Sequence, residues 1–141
     1  MLGLYMITRL NGTGEVTGAL EDYYVTFLAG IFRSVRWGAT EAHGRANMVT
    51  FNYFEDAGAF SREATTGRYR VDMAAMRKAV VNLSTLILTL QGNGDYAGVH
   101  ALSASKGVVD PQLQTDLDRL SARNIPVDVV FNQGKAALGL K

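Results

Sequence analysis

Cysteine is absent from the 141 residues, which excludes disulfides and thiolate metal sites. Proline occurs only twice. Pro111 suits the first position of a helix, and Pro126 resists helix. Histidine also occurs twice, as His43 and His100, and no histidine pairs with either at i+4, so no histidine-based zinc motif is present. An excess of one charge is missing too. Fourteen Lys and Arg against thirteen Asp and Glu leave a formal +1, and no basic face points to nucleic acid. No uninterrupted apolar run reaches the length of a membrane span. The opening MLGLYMITRL is apolar but lacks the charged region and cleavage site of a secretory signal. The expectation is a soluble, cytoplasmic protein with neither a membrane nor a nucleic acid as partner.

What is present is apolar surface. Hydrophobic residues make up 48% of the chain, and a domain of this length can bury about two thirds of its unfolded surface. The organising stretch covers residues 37–58, WGATEAHGRANMVTFNYFEDAG. Thr40 is the expected N-cap, with Glu41 favourably placed in the first turn. Gly58 is the expected stop. Ala46, Val49, Tyr53 and Ala57 recur at helical spacing, and Met48, Phe51 and Phe54 widen the stripe. That pattern predicts a helix buried between others. Its first two turns carry His43, Arg45 and Asn47, a polar cluster that must face partners or a cavity.

The remaining elements follow the same periodicity. Leu2, Tyr5, Met6 and Leu10 predict a first helix that starts without a cap and stops at Asn11-Gly12. The glycine-rich residues 11–18 read as a connector, because their G-x-G lacks the strand–turn–helix setting of a phosphate loop. Residues 19–36 predict a second helix lined by Leu20, Tyr23, Tyr24, Phe27, Leu28, Ile31, Phe32 and Val35. Gly30 interrupts it and suggests a close helix crossing, while Arg33 and Arg36 are expected on a solvated flank, with a shared cleft as the alternative. This helix and the central one form a helical hairpin. Residues 59–71 change to period two and predict a small β-hairpin with solvated arginines. Asp72 caps a long helix to residue 91, with Met76, Val80, Leu83, Ile87 and Leu90 inside and Met73, Ala79, Val81 and Leu86 beside them. Asp95 caps residues 96–106, and Asp110-Pro111 opens a last helix to about Ala122. Residues 125–131 read as an extended tail, and residues beyond 131 are expected to fray. The fold class is mainly α: a bundle of five to six helices with a small β-hairpin and an extended tail.

The chemical inventory is thin. Glu41 and His43 lie two apart and point to different faces. No Gly-x-Ser-x-Gly turn occurs. Neighbouring carboxylates such as Glu55-Asp56 read as exposed helix charges. On its own residues the chain is poorly equipped to be an enzyme.

The motif EAHGRANM, with the aromatic helix after it, resembles the C-terminal part of the dipeptidyl-peptidase III family of zinc metallopeptidases, its bacterial members above all. The likeness continues through RYRVD, through MAAMRKAVVNLSTLILTLQGNGDYAGVHAL and through VVDPQLQTDLDRLSARNIPVDV, and covers residues 2–131. The family's His-Glu-x-x-x-His zinc helix and its glutamate ligand have no counterpart in this sequence. The resemblance therefore implies a C-terminal helical part, residues 1–131 with a tail at 132–141, inactive alone and needing the rest of the parent as its partner. Zinc and a peptide substrate belong to that parent. The resemblance assigns His43 to positioning the substrate and steadying developing negative charge. A family arginine four residues later falls here on Asn47. The nearest arginine is Arg45, about 200° around the helix from His43, which leaves both as substrate-binding candidates only. Some members carry a Nudix hydrolase domain ahead of the peptidase part, and no Nudix signature occurs in this sequence. Separation from a parent would expose apolar surface, so Leu2, Tyr5 and Met6 are expected to be covered by a second copy. The alternative reading is a free-standing helical interaction module that uses an exposed aromatic face to bind a partner or itself.

Overall fold

The computed structural model describes residues 1–128 and 131–140. It contains α1 (Leu2–Gly12), α2 (Leu20–Val35), α3 (Ala42–Asp56), β1 (Phe60–Arg62), β2 (Tyr69–Val71), α4 (Met73–Gly92), α5 (Tyr96–Lys106) and α6 (Pro111–Ala122). The mainly α class with a β-hairpin is thus as the periodicity predicts. α3 is the shared neighbour: it packs on α2, α4, α5 and β1. The core closes around Tyr24, Met48, Phe51, Phe54, Met76, Val80, Leu83 and Leu113.

Local chemistry explains the helix ends. Asp72 accepts from the Ala75 N–H, Asp95 from Gly98, and Asp110 from Gln112 and Leu113 ahead of Pro111; each satisfies amides with no partner inside the helix. α3 stops at Gly58, whose φ of +66° suits a residue without a Cβ. The Ala59 N–H then reaches the Phe54 carbonyl and the Gly58 N–H the Glu55 carbonyl, the paired bonds of a Schellman stop.

Several burial expectations need correction. α3 is not enclosed on most sides. Met48, Phe51 and Phe54 are buried, but Val49 and Tyr53 are half-buried and Ala46 and Ala57 exposed. Ala46 and Val49 border an open apolar groove of about 240 Å³ with Met1, Ile87, Val99 and Leu102, which α4 and α5 do not close. Val81 is exposed on α4, and Ile87 and Leu90 are only partly covered. α1 packs through Leu4 rather than through Leu2 and Met6, which are about half exposed. Its orientation is set by Thr8, whose hydroxyl lies 2.9 Å from that of the fully buried Tyr24. Thr40 is not the cap of α3; Glu41 occupies that position and makes no side-chain cap bond. Among the described residues nothing lies within 4 Å of where a Gly30 side chain would begin, so no described helix crosses there. Length and composition alone would let α4 cross a membrane; the apolar core helix of a bundle meets the same test.

Two arginines expected in solvent are structural. Arg36 donates to the carbonyls of Ile125 and Pro126, 2.9 Å in the Pro126 case, and so lays the tail along α2. Val129 and Val130 of that tail lie outside the described residues. Arg62 makes two bonds to Asp116, Nε to Oδ2 at 2.7 Å and Nη2 to Oδ1 at 2.8 Å, and the Tyr69 hydroxyl adds a third at 2.8 Å. Phe32 meets the Tyr69 ring edge-on at 4.7 Å. Two strands alone are marginal; this cluster ties them to α6, with Phe60 facing Val71, Ser61 facing Arg70 and Arg62 facing Tyr69.

The Arg62 hydrogen bonds, helped by Tyr69 and opposed by burial, hold the Asp116 carboxyl below the ordinary carboxylate range. Burial, then the bond to Asp116, pushes the Tyr69 phenol up. The folded state therefore holds the Asp116 proton less tightly than the unfolded chain. Its contribution to stability is complete above the unfolded value near about pH 4 and is lost as pH falls through the folded value. Tyr69 has the opposite sign: its contribution is complete below about pH 10 and is lost as pH rises past it. In thermal melts, the stability gap between the parent and Asp116→Asn is expected to be widest at neutral pH and to shrink on acidification; a gap that stays constant down to about pH 2 contradicts this assignment.

A Cβ on Gly44 would stand 2.1 Å from the Gly38 carbonyl oxygen and 3.1 Å from the Ala39 Cα. Both are backbone atoms and cannot swing aside. Gly44→Ala is expected to destabilise by about 1–3 kcal/mol, read as a lower urea midpoint. An unchanged midpoint would show that the corner can open.

Candidate functional site

The polar cluster flagged in the sequence sits where α2 turns into α3. Trp37 and Gly38 close α2 by donating to the Ser34 and Val35 carbonyls, at 3.2 and 2.9 Å. Gly38 has a φ of +96°, which turns the chain back. The buried Gly44 lets the first turn of α3 press against that bend. The corner is thereby a rigid support for whatever side chains project from it.

His43 projects from that first turn and is exposed. Among the described residues no hydrogen bond or ion pair engages its imidazole. Asn47, one turn along the same side, is half-buried, and its Nδ2 donates to the Ser34 Oγ at 2.7 Å. This bond stitches α3 to α2 directly behind the histidine. Arg45 goes elsewhere. Its Nη2 reaches the Thr40 carbonyl at 3.3 Å, and its stem lies on Gly107, where a Cβ would fall 2.5 Å from Arg45 Cγ. His43 and Asn47 therefore share a side, and Arg45 does not join them.

Metal chemistry finds no foothold here. Among the described residues no three of His, Cys, Asp and Glu come together, whereas zinc needs three or four such ligands. These residues do not fit the zinc that the sequence resemblance implies for the parent. His100 is exposed on α5.

The cavity beside the corner was not placed from the sequence, although Gly30 and Arg33 were singled out there. Gly30, Arg33, Ser34 and Trp37 line a shallow cavity of about 300 Å³. Trp37 is 61% exposed, and Arg33 faces Asp128 at 3.9 Å with both side chains largely in water. The signals were available: one tryptophan in the whole chain, and a helical glycine with no packing reason. Asn52 was also missed. It is buried and donates to the Lys106 and Val108 carbonyls, each at 2.8 Å, which fixes the end of α5 against α3.

No protein-family model matches the chain. Nudix hydrolase 3 of Arabidopsis thaliana is 39% identical over 131 residues, which are 92% of this chain and 17% of that protein. The structure of DPP III from Caldithrix abyssi superposes with a TM-score of 0.84 at 35% identity, over 91% of this chain and 24% of that one. Dipeptidyl-peptidase III from Corallococcus sp. strain EGB gives 0.83 at 35% identity, over 97% of this chain and 25% of that one. The chain thus spans a quarter or less of the length of these relatives. In sequence and in fold alike, it has a family-level resemblance to dipeptidyl-peptidase III.

Proposed function

We propose that this chain is the helical, substrate-side, C-terminal part of a dipeptidyl-peptidase-like hydrolase, with zinc and its ligands supplied from outside the chain. The observation that carries the reading is the match itself: nearly the whole chain lies on one quarter of a solved dipeptidyl-peptidase III with a TM-score of 0.84. Residues 1–131 are the working unit in this reading, in a cytoplasmic setting, and the partner is the remainder of the parent. His43 does the work that its place allows. An imidazole N–H on a rigid corner donates a hydrogen bond to the scissile carbonyl oxygen as negative charge develops there. Asn47 is a positioning residue, because its bond to Ser34 fixes the turn that carries His43.

The test replaces the matching quarter of the Caldithrix abyssi enzyme with this chain. The chimera is expected to release dipeptides, and His43→Ala within it to lower kcat by roughly a hundredfold, the scale of losing one donor to a developing oxyanion. The 141-residue chain alone is expected to hold no stoichiometric zinc and to leave dipeptidyl naphthylamides intact. Turnover or tight zinc binding by the pure chain overturns the reading, as does a chimera indifferent to His43.

One observation favours the second reading, a free-standing interaction module. A groove of about 530 Å³ runs between α1 and α2, lined by Met1, Leu4, Ile7, Tyr23 and Phe27, and Leu2, Met6 and Val25 beside it are 46%, 50% and 49% exposed. Apolar surface of that kind promotes association. Sedimentation velocity is expected to show concentration-dependent dimers on this reading; a monodisperse monomer removes it.

A further inference from the structure

We infer that the shelf formed by Gly30, Arg33, Ser34 and Trp37 binds a carboxylate-bearing peptide, as a specificity subsite beside His43. The inference rests on the reading that His43 faces a peptide, and it adds what part of that peptide is recognised.

Gly30 is the first reason. A glycine inside a helix costs stability relative to alanine, and among the described residues no atom comes within 4 Å of its missing Cβ. Packing among the described residues does not account for it. The bare position instead flattens the floor of the 300 Å³ cavity, so that a ligand can approach the helix backbone.

Trp37 is the second. Indoles are highly buried on average, yet this one is 61% exposed on the corner that Gly44 locks. An apolar face held rigidly in water is a ready surface for a peptide side chain, at little cost in ordering.

The polar groups set the chemistry. The Ser34 Oγ accepts from Asn47, so its own hydrogen is free to be donated outward. Arg33 is a fixed cation with a planar fork suited to carboxylates. It already faces one, Asp128 at 3.9 Å, and an exposed pair at that distance is weak enough to exchange. Asn47 belongs to the same side of α3 as His43, and Ser34 belongs to the shelf. The hydrogen bond between them therefore joins the two places in one surface.

The experiment uses the full chain and its single tryptophan as reporter. The probes are acetyl-Phe-Ala with a free C-terminal carboxylate, acetyl-Phe-Asp-amide, and neutral acetyl-Phe-Ala-amide. A saturable shift in Trp37 emission is expected with a carboxylate probe and not with the neutral one. The carboxylate probe that binds more tightly identifies the source, terminus or side chain. Arg33→Gln is expected to weaken binding roughly tenfold, in line with the loss of one charged hydrogen bond. Gly30→Leu fills the floor and is expected to abolish the shift while leaving the helical circular dichroism and the urea midpoint intact or raised. The inference is overturned if no probe saturates, if the neutral probe binds equally well, or if neither substitution matters. The readout is binding to the isolated chain, so it is separate from the chimera: an inactive chimera with an intact shift removes the hydrolase reading, whereas an active one without a shift removes the shelf.

Discussion

There is no room for a methyl group between the bend at Gly38 and the first turn of α3. That contact decides where the rest of the site stands. It sets the separation of α2 and α3 at their joined ends, and so brings Ser34 within 2.7 Å of Asn47. It also leaves Trp37 and His43 on the outside of the bend, since the inside is occupied by backbone. From the same corner α3 runs into the core through Met48, Phe51 and Phe54. Packing along one face of α3 thus holds the polar end rigid, although none of those apolar side chains is polar or reactive.

Connections between helices are held by a different device. In three places a side chain crosses to polar groups that would otherwise have to face water. Asn52 takes the two carbonyls at the end of α5. Arg36 takes two carbonyls of the tail. Arg62 takes the carboxylate of Asp116 inside α6. Asn52 and Asp116 are buried, and burial of a polar group costs free energy unless a partner is supplied, so those two crossings are specific: the partner must sit where the unpaired group is. Hydrophobic contacts alone would tolerate sliding of one helix on another. These bonds do not, and they convert a bundle into one arrangement.

That distinction explains what was legible in the sequence. The caps Asp72, Asp95 and Asp110 act within three residues, and the apolar repeat of α2 acts within one helix. Local rules suffice for both. The Arg62–Asp116 pair joins residues 54 positions apart, and Arg36 reaches 90 positions to Pro126. No periodicity encodes which distant group an arginine will meet, so both read as ordinary solvated charges. The shift of the α3 stripe from Ala46 and Val49 toward Met48 and Phe51 has the same origin. Both faces are apolar enough to be buried, and only the position of α4 and α5 decides which one is closed and which one borders a groove. The histidine and asparagine at the corner were visible as residue types. Their shared side, and the departure of Arg45, follow from helix geometry and could be read at that level; the Ser34 partner could not.

His43 itself bears on how such a site is recognised. A histidine kept for structure is usually buried and hydrogen-bonded, because an unpaired ring nitrogen in the core is costly. This ring is neither buried nor engaged among the described residues, so core satisfaction does not explain it. Two settings remain: open water, or a surface completed by atoms outside the chain. The proposed function takes the second. Random surface positions do not sit on a corner where a buried glycine, a cross-helix hydrogen bond and a left-handed turn all fix the backbone. Rigidity at an exposed side chain contributes nothing to burial; it contributes to placing a donor within a few tenths of an ångström, the tolerance that a developing oxyanion demands. On the reading proposed above, the supports behind His43 would serve to hold a hydrogen-bond donor in place.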